Sequence, residues 1–205
     1  MMIYDISMTI HKNMQVYKNK TEKIPVFTQT ASFTENGVYE TDISLNMHTG
    51  THIDFPLHTI IDGNTSNIDY LDKLVGKAKV FNLDHVNFSI DKSDLIALDI
   101  KENDFILLRT KNSFDETFNP DFVFLNKSAA RYLVNKKIRG VGIDSLGIER
   151  AQPNHPTHDL LLGNGIIILE GLRLKAIKED EYDFYCLPLK IENVEALLAR
   201  AILIK

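Results

Sequence analysis

The chain has 205 residues, 44% of them hydrophobic and 25% charged, and a formal net charge of −5. Those values exclude a disordered or fibrous chain and suit one globular domain over residues 1–205, large enough to bury a core. No basic block stands out, which argues against nucleic acid as a partner, and apolar runs such as 166–169 are too short to cross a bilayer.

The N-terminus, Met1-Met2-Ile3-Tyr4-Asp5, lacks the basic-then-apolar pattern of a signal peptide, so a cytoplasmic protein is expected. Residues 3–7 and 25–33 are rich in β-branched and aromatic side chains and read as strands. Residues 38–47 alternate strongly and read as a third strand, joined to the second through Glu35-Asn36-Gly37 as a hairpin turn. A strand is expected at 78–83. Asp91 is an expected N-cap for a helix through Leu98, with Asp94 three positions on. A strand over 104–110 precedes a helix over 128–137, for which Asn126 is one candidate cap. Residues 141–144 form a short buried strand, and 157–162 a short helix stopped by Gly163-Asn164-Gly165. Strands over 166–170, 184–189 and 199–204 close the chain, with Pro188 marking an edge or interruption. The sum is an α/β or α+β domain around a mixed sheet curled toward a barrel.

The densest chemistry lies at His48-Thr49-Gly50-Thr51-His52-Ile53-Asp54-Phe55-Pro56-Leu57-His58, where three of the seven histidines and an aspartate fall within eleven positions. Imidazole nitrogens and carboxylate oxygens suit a borderline divalent ion such as zinc. A helix is opposed by Gly50, the β-branched Thr49, Thr51 and Ile53, and Pro56. A straight strand of ten residues would span about 33 Å, too far for one site. The chain therefore bends, with Gly50 permitting the kink. His52 and Asp54, two apart, share a face of an extended segment, and His48 joins them across the bend. His58, beyond the proline, is either a fourth ligand or a free base. Spacing does not choose among zinc, manganese and iron. Cys186, the lone cysteine, can make neither an internal disulfide nor a Cys-based zinc site and is read as core. His11 and His85 read as surface residues, and Asp144 as a turn-starting residue that at most supports the site.

This run resembles the signature of the cyclase-like metal-dependent hydrolases, which include bacterial kynurenine formamidases (arylformamidases) and isatin hydrolases. Ile3-Tyr4-Asp5-Ile6-Ser7 resembles the family's opening strand and Val141-Gly142-Ile143-Asp144-Ser145 its central segment. His158-Asp159-Leu160-Leu161-Leu162 and Ile167-Ile168-Leu169-Glu170-Gly171-Leu172 resemble its second ligand region, with the closing strands at Leu187-Pro188-Leu189-Lys190 and Ala199-Arg200-Ala201. The resemblance implies the swivelling β/β/α fold and a homodimer or higher oligomer. It implies a first metal on His48, His52 and Asp54, with Asp54 bridging to a second completed by His158 and Glu170, and His58 as acid/base. His158 is preferred to His155 because its separation from Glu170 matches the family. The implied cofactor is Zn2+, one or two ions, with Mn2+ as the alternative. The implied substrate is a small molecule, N-formylkynurenine or another N-formyl arylamine, with a cyclic amide as the alternative. A metal-dependent cyclase or lyase without hydrolysis is the rival reaction. The family's formamidase members often carry Trp and a Pro-Gly pair after the first strand. This chain has no Trp and places Gln15-Val16-Tyr17-Lys18-Asn19-Lys20 there.

Overall fold

The computed structural model describes residues 1–205. In chain order the elements are β1 (Ile3–Asp5), β2 (Val26–Ala31), α1 (Phe33–Asn36), β3 (Glu40–Ser44), β4 (His52–Asp54), β5 (Val75–Asn82), β6 (Ser89–Ile90) and α2 (Lys92–Leu95). They continue as β7 (Phe105–Arg109), β8 (Phe124–Leu125), α3 (Lys127–Lys136), β9 (Gly140–Ile143), α4 (Pro156–Leu162), β10 (Ile167–Glu170), β11 (Asp180–Pro188) and β12 (Ala196–Ile204). The main sheet runs β1-β12-β11-β5-β7-β9-β10-β4, and β4 pairs back onto β12, closing a mixed seven-stranded barrel with β1 outside the ring. Strands β5, β7, β9 and β10 are parallel neighbours; the other pairings are antiparallel. One edge of β12 is shared: residues 196–198 pair with β4 and residues 202–204 with β1.

Side-chain alternation on the strands sorts the core into two layers. Phe105, Leu107, Leu169 and Ile53 point into the barrel and pack with Phe184, Leu197 and Leu203. Ile106, Leu108, Val141 and Ile168 point outward and pack under α3 and α4 through Ala129, Ala130, Leu133 and Leu161. Every residue named here is buried, and each large one contributes about 1.5–3 kcal/mol by leaving water. β7 is buried on both faces, as expected of a parallel strand covered by helices.

The helix signals translate into local geometry with small differences in extent. Asp91 and Asp94 form a reciprocal capping box, but α2 has only one turn and stops at Leu95 instead of Leu98. Asn126 caps α3 by accepting from the Ser128 and Ala129 N–H groups. Pro188 ends β11 beyond the last residue that pairs with β5, so its missing N–H falls where β11 is locally an edge. No helix is long and apolar enough to cross a membrane.

The β2–β3 hairpin differs from the sequence expectation in one respect. The strand expected over 38–47 is present but shorter: β3 spans only Glu40–Ser44, and it is exposed on both faces. The turn at Glu35-Asn36-Gly37 is a single helical turn, α1, closed by Gly37 at φ +73°. The hairpin stands away from the barrel as an arm, with Phe33, Tyr39, Val26 and Ile43 open to solvent.

Candidate metal centre

Strand pairing builds the centre. On β4, Ile53 enters the barrel, so His52 and Asp54 face outward. β10 lies antiparallel beside it, with Glu170 directly opposite His52 and Ile168 opposite Asp54. Ile168 belongs to the outer layer, so Glu170, two residues on, shares that outer face. Two short strands thus place three candidate ligands together.

The bend expected at Gly50 is present, at φ +67°. Across from it Gly171 has φ +70°, and a Cβ there would lie 2.3 Å from the Gly50 carbonyl oxygen. Only glycine fits that approach, which brings the end of β10 against the turn carrying His48. Thr51 ties the two together: its hydroxyl donates to the Gly171 carbonyl at 2.7 Å and accepts from the Met8 N–H at 2.8 Å. Pro56 opens a short 3-10 turn that returns His58 toward the site. The His58 ring lies 4.2 Å from that of His48 and 5.4 Å from that of His158, which is supplied by the first turn of α4.

All six residues expected at the centre therefore meet. His48 Nδ1 lies 3.0 Å from His52 Nε2 and 3.2 Å from Asp54 Oδ1. His52 Nε2 is 3.5 Å from Asp54 Oδ1 and 3.3 Å from Glu170 Oε2. His158 Nε2 is 3.8 Å from Asp54 Oδ2 and 3.4 Å from Glu170 Oε1. Asp54 lies between the two sets, one oxygen toward His48 and His52, the other toward His158.

Outer contacts set which nitrogen faces inward. His52 Nδ1 donates to the Gly50 carbonyl at 2.9 Å, leaving Nε2 for the centre. His158 Nδ1 is held by Glu149 Oε2 at 2.8 Å, and that oxygen also accepts from the Thr157 and His158 N–H groups at 3.2 and 3.1 Å. Glu170 Oε1 accepts from the Ile148 N–H at 2.6 Å. Sequence reasoning missed Glu149, which lies in a loop with no period or motif linking it to α4. It also missed Glu195, whose Oε1 is 3.4 Å from His48 Nε2.

Other candidates fall outside the centre. His155 is exposed at the start of α4, 6.0 Å ring to ring from His158 and grouped with Glu149. His11 and His85 are exposed, as expected. Asp144 is buried, and its carboxylate accepts from Thr110 and Ser113, backbone and hydroxyl alike, and from Asn112 Nδ2. It anchors the loop after β7 and does not reach the ligands. Burial pushes its pKa up to about 6 against the lowering pull of those donors. Cys186 is fully buried, which pushes its thiol up to about 12.

The centre fits a cation on its own chemistry. Both Asp54 oxygens are buried and neither has a hydrogen-bond partner in the protein. A buried carboxylate left so would be costly. Burial opposes the charged forms here, but the neighbours outweigh it. Glu170 is held well below the usual carboxylate range by His158 and His52. Asp54, which burial and Glu170 would raise, is lowered by His48 and His52. Burial lowers His52 and His158, yet the carboxylates carry them up to about 9 and about 10. Without an ion, protons on these imidazoles offset the two acids; a divalent ion could replace them.

A closed mixed barrel bearing a buried His/Asp/Glu cluster defines a protein built to hold divalent metal. Residues 4–150 match the family model described as "Putative cyclase", and the chain belongs to that family. It is 29% identical over 206 residues to the kynurenine formamidase of Salinibacter ruber (strain DSM 13855 / M31), covering 99% of this chain and 97% of that protein. Among solved structures it is 49% identical to one described as a potential metal-dependent hydrolase with cyclase activity, with a TM-score of 0.91 and coverage of 98% and 96%. The fold is also that of isatin hydrolase A from Labrenzia aggregata, at 22% identity, a TM-score of 0.84 and coverage of 98% and 93%.

Proposed function

We propose that this protein is a metal-dependent hydrolase of amide-type C–N bonds, with N-formyl arylamines such as N-formylkynurenine as its substrate class. The observation that carries the reading is Asp54: its two buried oxygens lack protein donors while imidazoles converge on each of them. Similarity to a kynurenine formamidase along nearly the whole chain supports the substrate class.

His48, His52 and Asp54 would hold one ion, and Asp54, His158 and Glu170 a second, with Zn2+ the first choice for these nitrogen and oxygen donors and Mn2+ the second. The bound metal supplies Lewis acidity to the carbonyl oxygen and makes water acidic near neutral pH. His58 is free of the strand ladder, and burial lowers its pKa, with His48 and His158 adding to the effect and Asp54 and Glu170 opposing it. It is therefore neutral near pH 7 and fit to accept a proton. In the reaction, water oxygen bonds to the amide carbon and the C–N bond breaks. His58 takes the proton from water and passes it to the departing nitrogen. Formate and an arylamine result. Glu149, through His158 Nδ1, keeps that ring aimed at Asp54.

The β2–β3 arm supports a homodimer. A two-stranded hairpin is marginal alone in water, and this one leaves Phe33, Tyr39, Val26 and Ile43 exposed. A lone, buried and unreactive thiol agrees with a cytoplasmic setting.

The test is metal analysis of the purified protein together with an N-formylkynurenine assay. Activity lost with chelator and restored by Zn2+ or Mn2+ is expected. Turnover of a cyclic amide instead would move the substrate class, and a product without solvent oxygen from labelled water would refute hydrolysis.

A further inference from the structure

Three imidazoles line the proposed metal centre as ligands, and each has one nitrogen turned away from it. Two of those outer nitrogens have partners already described: the Gly50 carbonyl for His52 and Glu149 for His158. The third belongs to His48, whose Nδ1 is the inward nitrogen, 3.0 Å from His52 Nε2 and 3.2 Å from Asp54 Oδ1. Its Nε2 is left on the outside, and there Glu195 Oε1 stands 3.4 Å away, an ion-pair separation slightly longer than a hydrogen bond.

The fold fixes Glu195 at that point. Ala196, the first residue of β12, lies opposite Asp54 in the ladder, and the Phe55 N–H donates to the Glu195 carbonyl at 2.9 Å. The turn leading into Glu195 is pinned from the other side. Ser66 Oγ donates to the Ile191 carbonyl at 2.7 Å and accepts from the Val194 N–H at 3.3 Å, while Asn67 Oδ1 accepts from the Asn193 N–H at 2.9 Å. Asn193 takes left-handed backbone at φ +62°, a conformation that these bonds hold in place. The Glu195 carboxylate thus leaves an anchored backbone, and its one ion-pair partner is His48.

We infer that Glu195 is a positioning residue for the first ion: it keeps the N–H of neutral His48 on Nε2 and so presents the Nδ1 lone pair to the metal. The inference rests on the proposed ligand set of His48, His52 and Asp54. A neutral imidazole has one N–H and one lone pair, and an acceptor beside one nitrogen selects the other as the ligand. A carboxylate in that place also makes the ring a better donor to metal. Glu149 does this for His158 from a buried position, whereas the Glu195 side chain is 36% exposed, so water screens its charge and weakens the effect. The His48 ring held in this way also lies 4.2 Å from that of His58, between centroids, so the same contact steadies the neighbour of the acid/base.

The experiment titrates metal-free wild type, Glu195→Gln, Glu195→Ala, His48→Ala and the double Ala variant with Zn2+ in competition with a chelator of known affinity. Glu195→Ala is expected to weaken one of two bound ions about tenfold, the lower end of the effect of losing a carboxylate behind a ligating histidine, and the other less than about threefold. Glu195→Gln still offers an oxygen to the Nε2–H and should recover part of that loss, to about threefold or less. Adding Glu195→Ala to His48→Ala should change zinc affinity by less than about twofold, because the ring to be positioned is gone. Unchanged affinity in Glu195→Ala, equal weakening of both ions, or the same tenfold loss in the His48→Ala background would overturn the role. These affinities are read whether or not the protein hydrolyses an N-formyl arylamine, so a failed reaction and a failed role are separate results; a wild type that binds no zinc overturns both the ligand set and the role.

Discussion

Glu149→Gln is the most informative single change. In the native chain Glu149 Oε2 receives three hydrogen bonds, from His158 Nδ1 at 2.8 Å and from the Thr157 and His158 N–H groups at 3.2 and 3.1 Å, while Oε1 accepts from Gln152 Nε2 at 2.8 Å. Gln preserves the shape and one acceptor but removes the charge. Hydrogen bonds to an ionised acceptor are about twice as strong as neutral ones, and a carboxylate behind a ligating histidine makes the ring a better donor to metal. Loss of such an outer partner typically costs 10–100-fold in metal affinity, which is about 1.4–2.7 kcal/mol. Only His158 feels the change directly, so the ion shared by Asp54, His158 and Glu170 should weaken while the one on His48, His52 and Asp54 stays within about threefold. The assay is titration of metal-free protein with Zn2+ in competition with a chelator of known affinity. Unchanged affinity at both sites, or equal weakening at both, would refute the role given to Glu149.

His58→Ala should retain metal and lose about 10²–10⁴ in kcat, read by elemental analysis and steady-state rates; full activity would remove His58 from the reaction. The metal-free protein should show a definite pH signature. His52 and His158 have folded pKa values of about 9 and about 10, above the ordinary 6.5. Their contribution to stability is thus full below about pH 6.5 and is lost as pH rises through 9 to 10, so the melting temperature without metal should fall across that alkaline window. For the same reason Zn2+ binding at pH 7.5 should release about two protons, measurable by calorimetry in buffers of different ionisation enthalpy; no release would mean the imidazoles were already neutral. Gly171→Ala should destabilise the fold by roughly 2–4 kcal/mol in urea unfolding, from the left-handed φ of +70° and the 2.3 Å approach to the Gly50 carbonyl.

Local chemistry was legible where neighbours in the chain decide the outcome. The bend at Gly50, the caps at Asp91 and Asn126, and the grouping of His48, His52 and Asp54 all depend on residues a few positions apart. Period-2 alternation likewise put His52 and Asp54 on one face before any sheet was known. Over 38–47 the alternation located β3, but it states only that two faces differ and not that either is buried. Resemblance supplied His158 and Glu170, which no spacing within the chain joins to the first motif.

What only the tertiary structure decided is everything that depends on register between distant segments. Glu170 meets His52 because β10 and β4 align as neighbours, and that alignment is enforced by barrel closure and the contact of Gly171 with Gly50. Glu149 became visible as the support of His158 only when its loop was seen against the first turn of α4. A sequence lists donor atoms and the local bends available to them; their convergence on a common point is a property of long-range strand pairing and packing, which local pattern does not encode.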